Sequence, residues 1–155
     1  MYVDIAFSAQ QVTPPSVRGR TAVVIDLLRA TTTLTLALAR GAAAVYPAAE
    51  VAGARRLAAQ LRASGCRVLL AGEREGLPLP GFDLGNSPRE VEQVTWRDTH
   101  LVLTTSNGTR AALAAAPATL VLAGALVNLS PLCDAVLAAG QDVILICAGT
   151  QLGST

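Results

Sequence analysis

The sequence predicts an α/β fold, a three-layer sandwich in which a largely parallel β-sheet carries helices on both faces. Three observations point to it. Short runs rich in Val, Ile and Leu alternate with longer Ala/Leu-rich stretches along the chain, the pattern of repeated strand-helix units. Residues 21–27 (TAVVIDL) are nearly all apolar, as in a strand covered on both faces. The Ala/Leu-rich stretches are closed by Gly41, Gly65, Pro117 and Gly140, residues that stop helices.

In chain order, residues 3–7 read as the first strand and 21–27 as the second. Residues 32–40 read as a helix closed by Gly41, and 43–46 as the third strand. In residues 51–63, Leu57 and Leu61 lie four apart on one helix face,. Residues 67–71 form the fourth strand. The segment 72–86 holds Gly72, Gly76, Gly81, Gly85, Pro78 and Pro80. It reads as a loop, too long and too polar for a mere connector. Ser87-Pro88-Arg89-Glu90 supplies an N-cap, a proline at the first helical position and a glutamate at the third, the pattern of a capping box. A fifth strand (100–104), a helix (107–116), a sixth strand (119–123), a helix capped by Ser130-Pro131 and running to Ala139, and a seventh strand (142–147) complete the series. No repeat, low-complexity tract or linker interrupts it, so residues 1–155 read as a single domain. Residues 148–155 read as a loop with no closing helix. The expectation is a domain shortened at its C-terminus, or one that closes its sheet on a partner subunit.

Composition narrows the functional classes. With 52% hydrophobic and 15% charged residues, the chain is neither disordered nor fibrous,. No apolar run reaches the ~18 residues of a membrane span, and no basic segment precedes an apolar stretch at the N-terminus,. A cytoplasmic protein without membrane partners is expected. All twelve basic residues are arginine, the net charge is +1, and no basic block stands out, so nucleic acid is not an expected partner. The absence of lysine excludes Schiff-base chemistry and a Walker A loop,. Cys66, Cys133 and Cys147 show no CxxC spacing and read as small buried thiols,. The single histidine, His100, reads as a capping or surface group and leaves zinc without partners. Scarce charge and an Ala/Leu-rich composition suggest covered apolar patches, hence a homo-oligomer.

In open α/β sheets ligands bind beyond the carboxyl ends of the strands, which selects four places. In the first, Asp26 ends the second strand, and Arg29, Thr31, Thr32 and Thr33 follow at a helix start. A carboxylate there needs a partner or a cation, and the helix start favours an anion. In the second, Glu73 follows the fourth strand, and Asn86 and Ser87 end the long loop. If Glu73 meets Asp26 across the sheet edge, the pair suits Mg²⁺. The third, Thr104-Thr105-Ser106-Asn107-Gly108-Thr109-Arg110, offers hydroxyls, free N–H groups and a guanidinium around one phosphate,. The fourth, Gly124 to Ser130 with Cys147-Ala148-Gly149-Thr150, reads mostly as capping.

Several chemistries are excluded. A haloacid-dehalogenase-type phosphatase needs an acid two positions after its nucleophile, where Leu28 stands. No GxGxxG follows an early strand and no GxSxG is present,. A nucleotide-binding domain is disfavoured because only 3% of residues are aromatic.

The stretches VVIDLLRATTT (23–33), AGEREGLPLPGFDLGNSPRE (71–90), TTSNGTRA (104–111), VNLS (127–130) and CAGT (147–150) are long, ordered and interleaved with strands. With them the chain resembles the ComB family of 2-phosphosulfolactate phosphatases over essentially its whole length. The resemblance implies a Mg²⁺-dependent hydrolase of 2-phospho-3-sulfolactate, on the way to coenzyme M, or of a related small phosphomonoester. The reading then places Mg²⁺ on Asp26 and Glu73. Arg29 and Arg110 stand on the phosphoryl oxygens, with Ser106, Asn107, Gly108, Thr109, Thr31 and Thr32 around them. Asn86 and Ser87 take the carboxylate or sulfonate end. Either a water or Asp26 itself attacks. The family pattern continues past CAGT where this chain stops at Thr155, so the rival reading is a shortened, catalytically impaired domain that binds anions and oligomerises.

Overall fold

The apolar runs become strands, and the α/β class holds, but the strands divide between two four-stranded sheets. The computed structural model describes residues 1–149. In order, its elements are β1 (Val3–Ala6), α1 (Pro14–Val17), β2 (Thr21–Ile25), α2 (Ala30–Ala39), β3 (Ala44–Pro47), α3 (Val51–Ala63) and β4 (Arg67–Arg74). There follow β5 (Leu77–Pro78), α4 (Pro88–Glu92), β6 (Thr99–Thr104), α5 (Gly108–Ala115), β7 (Leu120–Gly124), α6 (Leu129–Ala139) and β8 (Val143–Cys147). The first sheet runs β1-β8-β2-β7 with every pair parallel. The second runs β3-β6-β4-β5, parallel except for the β4-β5 hairpin.

Alternation along each strand decides which helix it meets. On β6, Leu101 and Leu103 face Ala37 of α2, Val91 of α4 and Trp96, while Val102 between them faces Ala54 and Ala58 of α3. Trp96 is enclosed, and its indole N–H donates to Val91 O at 2.9 Å. In the first sheet, Ala22, Val24, Ile144 and Ile146 pack on Ala111 and Ala115 of α5. Helix α2 leaves the first sheet and packs into the core of the second, whereas α5 leaves the second and packs on the first. This exchange brings the ends of β2, β4 and β6 to one place.

Several local expectations are corrected. The segment 72–86 does not start as a loop: β4 extends to Arg74 and turns into β5, with Glu73 opposite Pro78. Glu75 and Gly76 make the turn at φ 54° and 82°. The capping box at Ser87 is not closed. Ser87 holds the N-cap position without a side-chain bond, and Glu90 Oε2 accepts the Gly85 N–H at 2.6 Å instead. Ser130 does not cap α6, because it lies inside the first turn behind a short 3₁₀ turn, Leu126–Asn128, that ends on Asn128. Asn128 Oδ1 accepts the Ala125 N–H at 2.9 Å. The thiols are not all buried: Cys133 is exposed on α6, and Cys66 and Cys147 are half-buried. His100 lies within β6, stacked on Tyr46. Thr150 and the closing stretch 151–155 lie outside the described residues. No helix among the described residues is long and apolar enough to cross a membrane.

Candidate anion site

The end of β2 turns sharply, because Thr31 binds both sides of the turn. Its Oγ1 accepts the Asp26 N–H at 3.1 Å and lies 2.6 Å from Asp26 O and 2.7 Å from Gly124 O. The turn leaves the Asp26 side chain half-buried at the edge of a cavity of about 900 Å³. Asp26 and Arg29 line it from the first sheet, and Glu73, Asn86, Ser106, Asn107 and Arg110 line it from the second sheet and α5. The sequence reading had named all seven, and the fold brings them together. Cys147 and Gly149, from the fourth place, also line the wall.

The remaining candidates do other work. Thr31 and Thr109 are enclosed, with hydroxyls spent on neighbouring backbone. Thr32 Oγ1 donates to Leu27 O at 3.0 Å. Ser87 lies off the wall at the start of α4. Gly108 stands behind the wall, and its role is steric. A Cβ there would fall 2.5 Å from Ala30 Cβ and 2.6 Å from Asp26 Oδ2, so only glycine lets α5 start against Asp26.

Three features of the wall escaped the sequence reading. Arg74 lines the cavity, but its guanidinium is tied to Glu73 O, Ala49 O and Thr104 Oγ1. Glu73 is buried and carries three hydrogen bonds from its own chain. Leu28 stands at the rim, 91% exposed. The length and polarity of the segment 72–86, which begins inside β4, were the available signal for the first two.

The two carboxylates shift in opposite directions. Burial pushes the Asp26 carboxyl above the ordinary aspartate value. The N–H groups of Ala30 and Arg29 pull back, Glu73 adds to the rise, and Arg29 opposes it,. Burial also works against ionised Glu73, but the N–H groups of Ser106 and Gly76, the Ser106 hydroxyl and Arg74 outweigh it. Its pKa falls below the ordinary glutamate value. A depressed carboxylate contributes stability that is present above its unfolded value and lost as pH falls through its folded value. The melting temperature is therefore expected to fall on acidification from pH 5 to pH 3, and Glu73→Gln is expected to flatten that fall in a thermal melt series. An equal slope in both proteins would contradict it.

Among the described residues, neither Arg29 nor Arg110 has a carboxylate within 4.0 Å. Asn86 Oδ1 is enclosed and has no hydrogen-bond partner among the described residues. Two guanidinium groups without an ion pair, a carboxylate and the first turn of α5 meet beyond parallel strands, where α/β proteins hold small anions. The class is thus an α/β protein with a candidate anion site at the ends of its strands.

Comparison with known proteins narrows the class. The profile of the 2-phosphosulpholactate phosphatase family matches residues 7–154, and the chain belongs to that family. It is similar to the probable 2-phosphosulfolactate phosphatases of Clostridium novyi (37% identity over 151 residues), Clostridium acetobutylicum (36% over 150) and Carboxydothermus hydrogenoformans (36% over 151). Each match covers 97% of this chain and 60–63% of the relative. The chain therefore spans less than two thirds of the length of these relatives. The resemblance drawn from the motifs is borne out.

Proposed function

We propose that this chain carries the phosphate-handling site of a phosphatase acting on 2-phosphosulfolactate or a related small phosphomonoester. The observation that carries the reading is that Arg29 and Arg110, neither of them ion-paired among the described residues, line one cavity with Asp26. Two guanidinium groups match the charge and the oxygens of a phosphoryl group. The names of the relatives support the same substrate class.

The site fits Mg²⁺ through one carboxylate. Mg²⁺ is commonly held by one or two carboxylates, substrate phosphate and water, and Asp26 opens on the cavity. Glu73 fits less well, since its oxygens already accept three hydrogen bonds. Mg²⁺, when bound, would supply charge that stabilises the phosphoryl oxygens. Arg29 and Arg110 orient the phosphate. Asp26, its proton affinity raised by burial, either takes the proton of an attacking water or attacks itself. A phosphorylated enzyme trapped on Asp26 separates the two routes. Asn86 and Asn107 are suited to the carboxylate or sulfonate end. The reading includes a cytoplasmic location and a homo-oligomer; the exposure of Val3, Ile5, Leu126, Val127 and Leu129 supports the oligomer, and light scattering tests it.

Phosphate release from 2-phosphosulfolactate and a panel of phosphomonoesters, with Mg²⁺ and with EDTA, tests the function. Mg²⁺-dependent release is expected. Arg110→Ala should lower kcat/KM by about tenfold or more, the effect of losing a charge-assisted hydrogen bond. Phosphate binding without release would favour the anion-binding domain instead.

A further inference from the structure

Glu73 was expected to be a metal ligand, and its surroundings point to a different task. It is 7% exposed, on the last residues of β4. Oε1 accepts the Ser106 N–H at 2.7 Å. Oε2 accepts the Gly76 N–H at 2.8 Å and the Ser106 hydroxyl at 3.1 Å. Ser106 Oγ accepts the Glu75 N–H at 3.3 Å in return. A carboxylate has about four lone-pair directions, and three of these are committed to donors of the same chain. Arg74 makes no ion pair with Glu73 among the described residues and binds its carbonyl instead. The charge of Glu73 is thus met first by N–H and O–H dipoles, with Arg74 adding a weaker contribution without an ion pair.

These bonds close a ring between two turns. One is the Glu75-Gly76 turn joining β4 to β5, and the other is Ser106-Asn107 between β6 and α5. The second turn is also braced from within. Thr105 N–H donates to Thr109 Oγ1 at 3.2 Å, and Thr109 N–H donates to Thr105 Oγ1 at 3.1 Å. Beyond it α5 begins, packed on the first sheet. The β6–α5 turn therefore spans the junction of the sheets, and Glu73 is the side chain that ties it to β4.

We propose that Glu73 is a positioning residue whose carboxylate clamps the Glu75-Gly76 turn to the Ser106-Asn107 turn and so sets Asn107 and Arg110 against Asp26. The clamp needs an acceptor on both oxygens. Glu73→Gln keeps the size of the side chain but places an NH₂ group against at least one of the donors, leaving that pair unmade. The inference rests on the phosphatase reading only for what the positioned groups bind.

The test is backbone amide exchange by NMR, joined to titration with inorganic phosphate and with Mg²⁺, at a temperature where every variant is fully folded. In the native chain the Gly76 and Ser106 amides should be protected. In Glu73→Gln both should exchange at least about tenfold faster, with the Val24 and Ile144 amides unchanged. Phosphate affinity should drop by about tenfold and Mg²⁺ affinity should hold. Ser106→Ala removes only the hydroxyl and leaves both N–H donors. It should speed Gly76 exchange and weaken phosphate binding by a smaller factor, and it carries the test if Glu73→Gln does not fold. Unprotected Gly76 and Ser106 amides in the native chain overturn the clamp. So do unchanged exchange and phosphate affinity in the variants, or a loss of Mg²⁺ affinity with exchange unchanged, which would make Glu73 a ligand. A native chain that binds no phosphate refutes the phosphatase reading, and amide exchange alone then decides the clamp.

Discussion

Asp26→Asn is expected to abolish phosphate release while raising the melting temperature. Asparagine keeps the shape of the side chain, and its Oδ1 can still face the N–H groups of Ala30 and Arg29. It cannot accept a proton from water, attack phosphorus or supply a charge to a cation. A loss on the order of 10³-fold or more in kcat is the scale for removing a group of this kind. Stability moves the other way. Burial raises the Asp26 pKa in the folded chain, so ionisation opposes folding at neutral pH. Above the folded value the native protein carries that penalty and the asparagine variant does not. Below the ordinary aspartate value both states are protonated and the difference vanishes. The gain in melting temperature should therefore be largest near pH 7 and disappear towards pH 3. Site residues often trade stability for function in this way. Phosphate release with thermal melts at several pH values checks both halves. Retained activity would remove Asp26 from the chemistry, and a lower melting temperature at pH 7 would contradict the origin given for its pKa.

Gly108→Ala is expected to damage both the fold and the site. The new Cβ would meet Ala30 Cβ at 2.5 Å and Asp26 Oδ2 at 2.6 Å. Neither neighbour can yield cheaply. Ala30 is 1% exposed in the first turn of α2, and the Asp26 carboxylate is held by the N–H groups of Ala30 and Arg29. The start of α5 must then retreat, against the packing of Ala111 and Ala115 on the first sheet. Overpacking of this kind costs about 1–3 kcal/mol, several degrees of melting temperature in a domain of this size. The same retreat carries Arg110 away from Asp26, and misplacement by about 1 Å can cost 10²-fold in rate. Thermal melts and kcat/KM are the readouts. An unaltered melting temperature would show that α5 starts farther from Asp26 than described.

Much of this was legible in the sequence. Residues 51–63 match α3 at both ends, because Leu57, Leu61 and Gly65 mark the helix face and its close. The run 21–27 announced a strand buried on both faces, which residues 21–25 form while Leu27 is exposed beyond it, and Asp26 at its end stood out because so apolar a run rarely closes on a carboxylate. The hydroxyls misled. Thr31, Thr32 and Thr109 have the residue types of phosphate ligands, yet threonines at helix starts find backbone partners within a few residues, and these do. Glu73 read as a metal ligand beside Asp26, and what the sequence did not show is that it is buried and already accepts three hydrogen bonds from its own chain.

The sequence alone determined the α/β class, the order of the seven longer strands and the helices between them, and the strand ends where polar residues gather, because period, caps and breakers are local properties. Only the tertiary structure decided the division into two sheets, the exchange of α2 and α5 between them and the hydrogen bonds that occupy Glu73. Strands of nearly equal apolarity do not name their neighbours. Pairing is settled by how distant surfaces pack, and a carboxylate finds its partners only after that packing has brought them within reach.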